Sequence, residues 1–248
     1  MTKAEIQLVR SLADKRARDE HGLFVAEGEK LISEIRASKL RIRKIYALEG
    51  LFAGAEVEVV SPKEMERLSL LKTPSKAVAV VEIPRHKLHT HELKGQLVLA
   101  LDEVQNPGNL GTIIRLADWF GITDIVCSRS SADCFNPKVV QATMGAILRV
   151  RVHYTDLEQF IREATVQQIP CYGTFLEGEN LYTTPLTEGG IVVMGNEGRG
   201  ISEPIQKLVT HKLLIPAYPA DRPTSESLNV AMATGIVCAE FRRRVLKK

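Results

Sequence analysis

The sequence predicts an α/β protein in two parts, a small mixed unit over residues 1–84 and a larger unit over residues 97–248 with a mostly parallel sheet. Three observations predict this. From Leu97 onward, short apolar runs alternate with helix-period segments, the pattern of a parallel sheet covered on both faces. Before Pro84, apolar runs and helical stretches follow closely enough for a compact unit of their own. Between them, the chain from Pro84 to Gly95 is polar and aperiodic, so residues 85–96 read as a linker.

In order, residues 4–19 read as a helix with Ile6, Val9, Leu12 and Ala13 on one face. Residues 23–26 are a short strand, and 28–37 a helix turned inward at Leu31, Ile32 and Ile35. Strands follow at 45–48 and 57–60, Pro62 opens a helix at a favourable first-turn position, and 77–83 is another strand. In the larger part, strands fall at 97–101, 124–127, 150–153, 171–174, 191–194 and 212–215. Helices fall at 109–120, 137–148, 157–167, 203–208 and 228–243.

Hydrophobic residues at 44% and charged residues at 25% are ordinary for a globular chain. No apolar run approaches the ~20 residues that span a bilayer, and the N-terminus lacks a signal-peptide core. The cytoplasm is the expected compartment, with no membrane partner. A net charge of +3 does not by itself indicate nucleic acid. Basic residues cluster at Lys15, Arg16 and Arg18, at Lys39, Arg41, Arg43 and Lys44, and at Arg242, Arg243, Arg244, Lys247 and Lys248. Any one cluster reads as a solvated face. Cys127, Cys134, Cys171 and Cys238 lack CxxC spacing and read as reduced, buried thiols. His86, His89 and His91 have no acidic or thiol partner arranged with them, so no metal site is expected.

Three segments carry the chemistry. Asn106-Pro107-Gly108-Asn109 through Arg115 lies where a strand turns into a helix. Asn109 suits the N-cap, and Arg115 then sits in the second turn. Gly108 and Gly111 suit a tight turn and close backbone approach. Free N–H groups, amides and a guanidinium there suit a phosphate or nucleoside. Gly195-Asn196-Glu197-Gly198-Arg199-Gly200 follows an apolar strand and departs from the dinucleotide pattern GxGxxG. Leu213-Leu214-Ile215-Pro216 is followed by Ser227-Leu228-Asn229-Val230-Ala231, where Ser227 and Asn229 offer a helix cap or functional polar groups.

In this order, the three segments resemble the motifs of the SpoU/TrmH family over about Leu97 to Arg243. These are S-adenosylmethionine-dependent RNA ribose 2′-O-methyltransferases of the knotted SPOUT class. The resemblance implies a SPOUT-type α/β trefoil knot in the larger unit, S-adenosylmethionine as cofactor, and a homodimer. It implies donor contacts at Gly195, Ile215 and Leu228, with Thr174 and Asn229 beside them. It implies a catalytic group of Arg115, Asn109, Glu197, Ser227 and Asn229. The counterpart of Arg115 is the family's proposed catalytic arginine and general base. A guanidinium is effectively always protonated, so electrostatic stabilisation and a grip on RNA phosphate are the preferred roles. Glu197 orients substrate-side groups or neutralises Arg115.

Residues 16–29 also look like the start of many family members, where they open a small ribosomal-protein-like RNA-binding domain. Arg16 then contacts RNA, or forms a structural ion pair with Glu27. Ribosomal RNA is the leading partner and transfer RNA the second. The chain departs from the pattern in having Ala231 where a common relative has Ser, and in a longer connection over residues 217–226. Two other readings remain: a non-catalytic RNA-binding or ribosome-assembly protein with the same fold, and a doubly wound nucleotide-binding enzyme. The named polar residues count against the first, and the missing phosphate-loop and dinucleotide fingerprints against the second.

Overall fold

Two units divide the chain: Met1–Arg85 with Asp133–Leu148, and His86–Ala132 with Arg149–Lys248. A computed structural model describes residues 1–219 and 225–246. Lys247 and Lys248 of the C-terminal basic cluster, and residues 220–224 of the long connection, lie outside the described residues.

In chain order the elements are α1 (Lys3–Ser11), α2 (Lys15–His21), β1 (Leu23–Glu27), α3 (Glu29–Ala37), β2 (Ile42–Ala47), β3 (Val57–Val59), α4 (Pro62–Leu68) and β4 (Ala77–Glu82). Next come β5 (Leu97–Leu101), α5 (Pro107–Trp119), β6 (Asp124–Ser128), α6 (Pro137–Ala142), β7 (Arg151–Thr155) and α7 (Leu157–Val166). The chain continues through β8 (Cys171–Asn180), β9 (Gly190–Met194), α8 (Glu203–Gln206), β10 (His211–Leu214) and α9 (Val230–Val245).

The first unit is built on a mixed sheet of order β1-β4-β2-β3, with β4 antiparallel to β1 and β2, and β2 parallel to β3. Side chains alternate across it, as strand geometry requires. Leu23, Val25, Val78 and Val80 pack with Ile6, Val9, Leu12, Met65 and Leu68. Phe24, Ala26, Ala79 and Val81 pack with Ile32, Ile35 and Val140. The helix expected over residues 4–19 is instead two, because the Asp14 carboxylate caps α2 by accepting the Arg16 N–H at 2.7 Å. This break brings Arg18 inward, 1% exposed. Its guanidinium donates to the carbonyls of Leu12 and Ala13 at 2.8 and 2.9 Å, and to the Asp133 carboxylate at 2.9 and 2.6 Å. The helix expected over 137–148 ends early at Ala142, and a 3₁₀ turn follows at Ala146–Leu148. Met144 and Gly145, both at positive φ, interrupt it.

The second unit carries a six-stranded, wholly parallel sheet of order β10-β8-β9-β5-β6-β7. Its central strands β5 and β9 are buried along their whole length, which explains their near-continuous apolar sequences. Residues 86–96 belong to this unit, and Leu93 is buried in its core. From β5 the chain passes to β6 on one side, and from β9 to β10 on the other. The carboxyl ends of β5 and β9 therefore flank a topological switch point, where open α/β sheets bind ligands. The last helix, α9, packs on α5. No helix among the described residues is long and apolar enough to cross a membrane.

Candidate functional site

At the β5 side of the switch point, α5 begins one residue after Asn106. The Asn106 Oδ1 accepts the N–H groups of Gly108 at 2.8 Å and Asn109 at 3.2 Å. Asn106, not Asn109, is the N-cap. Pro107 suits the first helical position because it has no N–H to leave unpaired. Asn109 thus lies inside the first turn with its side chain available, and Arg115 lies a turn further along α5 than expected. Arg115 is exposed, and its side chain makes no hydrogen bond or ion pair among the described residues.

At the β9 side, the loop after Met194 folds back on itself through an antiparallel bridge between Asn196 and Gly200. Its Glu197 carboxylate reaches α5. Oε1 accepts the Asn109 Nδ2–H at 3.0 Å and the Asn106 N–H at 3.1 Å, and Oε2 accepts the Gln105 N–H at 3.4 Å. Burial pushes the Glu197 carboxyl up, but these bonds from Asn109 and the main chain outweigh it and hold it below the usual carboxylate range. Glu197 is thus an anion held by amides, and it does not neutralise Arg115.

The third segment joins the same group. Asn229 donates from Nδ2 to Asn109 Oδ1 at 3.0 Å. Its own Oδ1 accepts the N–H groups of Ala231 at 2.9 Å and Met232 at 3.3 Å, so Asn229 also caps α9. One hydrogen-bonded line, Glu197–Asn109–Asn229, therefore ties the three sequence-distant segments together. Ser227 is brought to the start of α9 but is exposed and makes no hydrogen bond among the described residues.

The expected donor contacts sit at neighbouring strand ends. Thr174 donates to the Val193 carbonyl at 3.4 Å, beside the end of β9. Gly195 directly follows β9, and Ile215 directly follows β10. Leu228 is half exposed just before α9. Gly195 has a reason of its own to be glycine. A Cβ there would lie 2.6 Å from the Gly200 oxygen and strike the Gly200–Ile201 backbone, so the loop itself requires it.

Several residues of the rim have roles that the sequence did not assign. The Asn196 Nδ2 donates to the Glu103 carbonyl at 2.8 Å, and its Oδ1 accepts the N–H groups of Gly198 and Arg199 at 3.0 and 3.1 Å. Asp102 is buried and accepts the Ser202 N–H at 2.7 Å. Asn106 was legible, since Asn before Pro is a helix-start signal. The Asn196–Glu103 and Asp102–Ser202 bonds join residues too far apart in sequence to leave a local pattern.

In the first unit, Arg16 is exposed on α2 and does not pair with Glu27. Glu27 is buried and accepts hydrogen bonds from Ser69 Oγ at 2.6 Å, the Leu70 N–H at 2.7 Å and Ser75 Oγ at 3.2 Å. These neutral donors satisfy the carboxylate without a counter-ion.

Residues 96–239 match the SpoU rRNA methylase family, and residues 3–79 match the MRM3-like substrate binding domain. The chain is 30% identical over 240 residues to the 23S rRNA (guanosine(2553)-2′-O)-methyltransferase RlmP of Bacillus subtilis, covering 94% of each chain. A solved structure of a TrmH-family protein from Porphyromonas gingivalis is 38% identical, with a TM-score of 0.87 over 98% of this chain and 99% of that one. A structure of an AdoMet-bound rRNA methyltransferase from Sinorhizobium meliloti is 29% identical, with a TM-score of 0.87 over 99% of this chain and 96% of that one.

Proposed function

This chain belongs to the SpoU rRNA methylase family, and we propose that its reaction takes place at the carboxyl edge between β5 and β9. It is an S-adenosylmethionine-dependent RNA ribose 2′-O-methyltransferase acting on 23S rRNA. The observation that carries the site assignment is the Glu197–Asn109–Asn229 line, anchored at Asn109 on the helix that also bears Arg115, whose side chain has no partner among the described residues.

The residues at the strand ends suit the donor. Ile215 and Leu228 offer apolar faces for a purine, and Thr174 offers a hydroxyl. Gly195, Gly198 and Gly200 add no side chain to the loop beside them. When bound, S-adenosylmethionine supplies a methyl group made electrophilic by its sulfonium.

Methyl transfer to a ribose needs an aligned hydroxyl and a stabilising charge as the oxygen loses its proton. Arg115 provides a permanently charged, two-pronged donor for that oxygen and a flanking phosphate, and the hydroxyl proton is released to bulk water. Glu197 already accepts three N–H donors, so its part is to fix Asn109 and the loop rather than to take a proton. Asn229 fixes the start of α9 and hence Leu228. Ser227 adds an exposed hydroxyl beside them.

The return of the chain from edge strand β10 to α9, packed on α5, accords with the family's trefoil knot. Trp119 on α5 and Met232 on α9, 84% and 64% exposed, are the kind of apolar surface that a second copy covers, and we assign a homodimer on that ground. Arg16 and its unit help to hold the RNA. Four buried cysteines, none of them in a disulfide, accord with a reducing cytoplasm.

The experiment is tritium transfer from labelled S-adenosylmethionine to 23S rRNA, with transfer RNA in parallel. Label entering 23S rRNA alone is expected; label entering transfer RNA alone would reverse the substrate assignment. Calorimetry with S-adenosylhomocysteine tests the pocket through Leu228→Glu, which should weaken binding in a folded protein. Light scattering should report a dimer, and Trp119→Glu with Met232→Glu a monomer.

A further inference from the structure

Glu103 stands just beyond β5 with φ of +58°, in the left-handed region that disfavours side chains other than Asn and Asp. Glycine would hold the same turn without strain, so what glutamate adds is its carboxylate. The main chain at this point is fully used. Its N–H donates to Ser128 Oγ at 2.9 Å, and its carbonyl accepts from Asn196 Nδ2 at 2.8 Å. The carboxylate accepts from Ser130 Oγ at 3.4 Å and pairs with the guanidinium of Arg199. Arg199 remains 70% exposed, in the same loop as Glu197. Exposed ion pairs add little to stability, so stability does not account for a strained glutamate here. A phosphate, by contrast, gives a guanidinium a two-pronged, charge-assisted match.

We propose that Glu103 and Arg199 form an exchangeable pair at the RNA-binding edge. Glu103 holds Arg199 back until a phosphate of the docked RNA displaces the carboxylate and takes the guanidinium. The proposal rests on the reading of this edge as an RNA methyltransferase site. Arg199 is then an RNA-binding residue, and Glu103 a positioning residue that acts through it. RNA that is only loosely held, without a phosphate at Arg199, gains nothing from the exchange.

The test is fluorescence anisotropy with an end-labelled 23S rRNA transcript over a salt series, on Glu103→Gln, Glu103→Gly, Arg199→Ala and the Glu103→Gln/Arg199→Ala double variant. Gln removes the charge and keeps the backbone bonds; Gly does the same and fits the left-handed backbone, which guards against a folding defect. Both should tighten RNA binding by roughly two- to five-fold, the scale of one released exposed ion pair. Arg199→Ala should weaken binding and lower the slope of log affinity against log salt by about one. The gain from Glu103→Gln should vanish in the Arg199→Ala background. A gain that persists there overturns the proposal, because the carboxylate then acts by general repulsion. Weakening by the Glu103 variants overturns it too, since the pair is then structural. Lost S-adenosylhomocysteine affinity in Arg199→Ala, with RNA affinity unchanged, overturns it by placing the guanidinium on the donor. Wild-type protein that fails to bind the transcript overturns both readings; binding without methyl transfer overturns the methyltransferase reading alone.

Discussion

The two ends of the six-stranded sheet treat charge in opposite ways. At the amino end, Asp124 opens β6 opposite Arg151, which opens β7. Arg151 donates to both oxygens of the Asp124 carboxylate, at 2.8 and 2.6 Å. His153 Nε2 lies 2.9 Å from the same carboxylate, and Thr123 donates to it at 2.8 Å. Burial pushes the Asp124 carboxyl up, but hydrogen bonds from His153, Arg151 and Thr123 overcome this and hold it far below the usual carboxylate range. At the carboxyl end, side-chain and main-chain amides hold Glu197, Glu103 pairs with Arg199, and Arg115 has no carboxylate partner among the described residues. Among the described residues, the amino end pairs its charges within the protein, whereas the carboxyl end leaves Arg115 unpaired. The first arrangement suits stability, and the second suits the chemistry proposed for this edge.

The largest effect should come from Arg115. Arg115→Ala should lower methyl transfer by ~10²–10³, the usual loss for one preorganised charge-stabilising donor. Donor affinity by calorimetry and the thermal midpoint should stay close to wild type, because the side chain has no partner to lose among the described residues. Arg115→Lys should also be poor, since a point charge lacks the planar fork. A Arg115→Ala protein that unfolds early would break the contrast between the two ends.

Asp124→Asn should do the reverse. Removing the buried charge shared by Arg151 and His153 should lower unfolding stability by ~2–4 kcal/mol in urea. Methyl transfer per folded molecule should be retained. Lost transfer at full stability would assign a functional part to the amino end.

Acid should sharpen the same point. A carboxyl lowered in the folded protein contributes stability above its unfolded value, and that contribution is lost as pH falls through the folded value. Asp124 behaves this way, as does Glu240, which hydrogen bonds from Arg243, and then Arg244, bring down to about 2. The unfolding midpoint should be flat near neutrality and fall below about pH 4. The fall should be shallower in Asp124→Asn; equal slopes would show that Asp124 is not a source of the acid sensitivity.

The smallest effect belongs to Asn229. Asn229→Ala removes the α9 cap, worth ~1 kcal/mol, and the bond to Asn109. Thermal unfolding should show a modest drop, with a partial loss of transfer. An unchanged midpoint would mean that the cap bonds are replaced by water.

The sequence was most readable where periodicity decides. The apolar runs of β5 and β9 and the alternation from Leu97 onward foretold a parallel sheet, and the three motifs marked segments that hydrogen bonds now join. It was less readable where partners are distant. Arg16 and Glu27 were a plausible local pair, yet the buried arginine is Arg18, and its carboxylate, Asp133, lies 115 residues away. Residues 137–148 read as the helix between two strands of the larger unit. Periodicity marks an apolar face, not the sheet that face meets, and Val140 packs with Phe24 and Ala26 of the first unit. Gly195 looked reserved for a ligand, but its own loop already excludes a side chain. Nothing in the string around Glu103 signals a left-handed glutamate.

The central claim is that this edge methylates a ribose oxygen. Alkali cleaves RNA through a free 2′-hydroxyl, so a 2′-O-methylated linkage resists it. The direct measurement is alkaline hydrolysis of 23S rRNA labelled by the protein with tritiated S-adenosylmethionine, followed by sizing of the products. Label in alkali-stable dinucleotides is the predicted result. Label confined to mononucleotides would place the methyl group on a base and contradict the account.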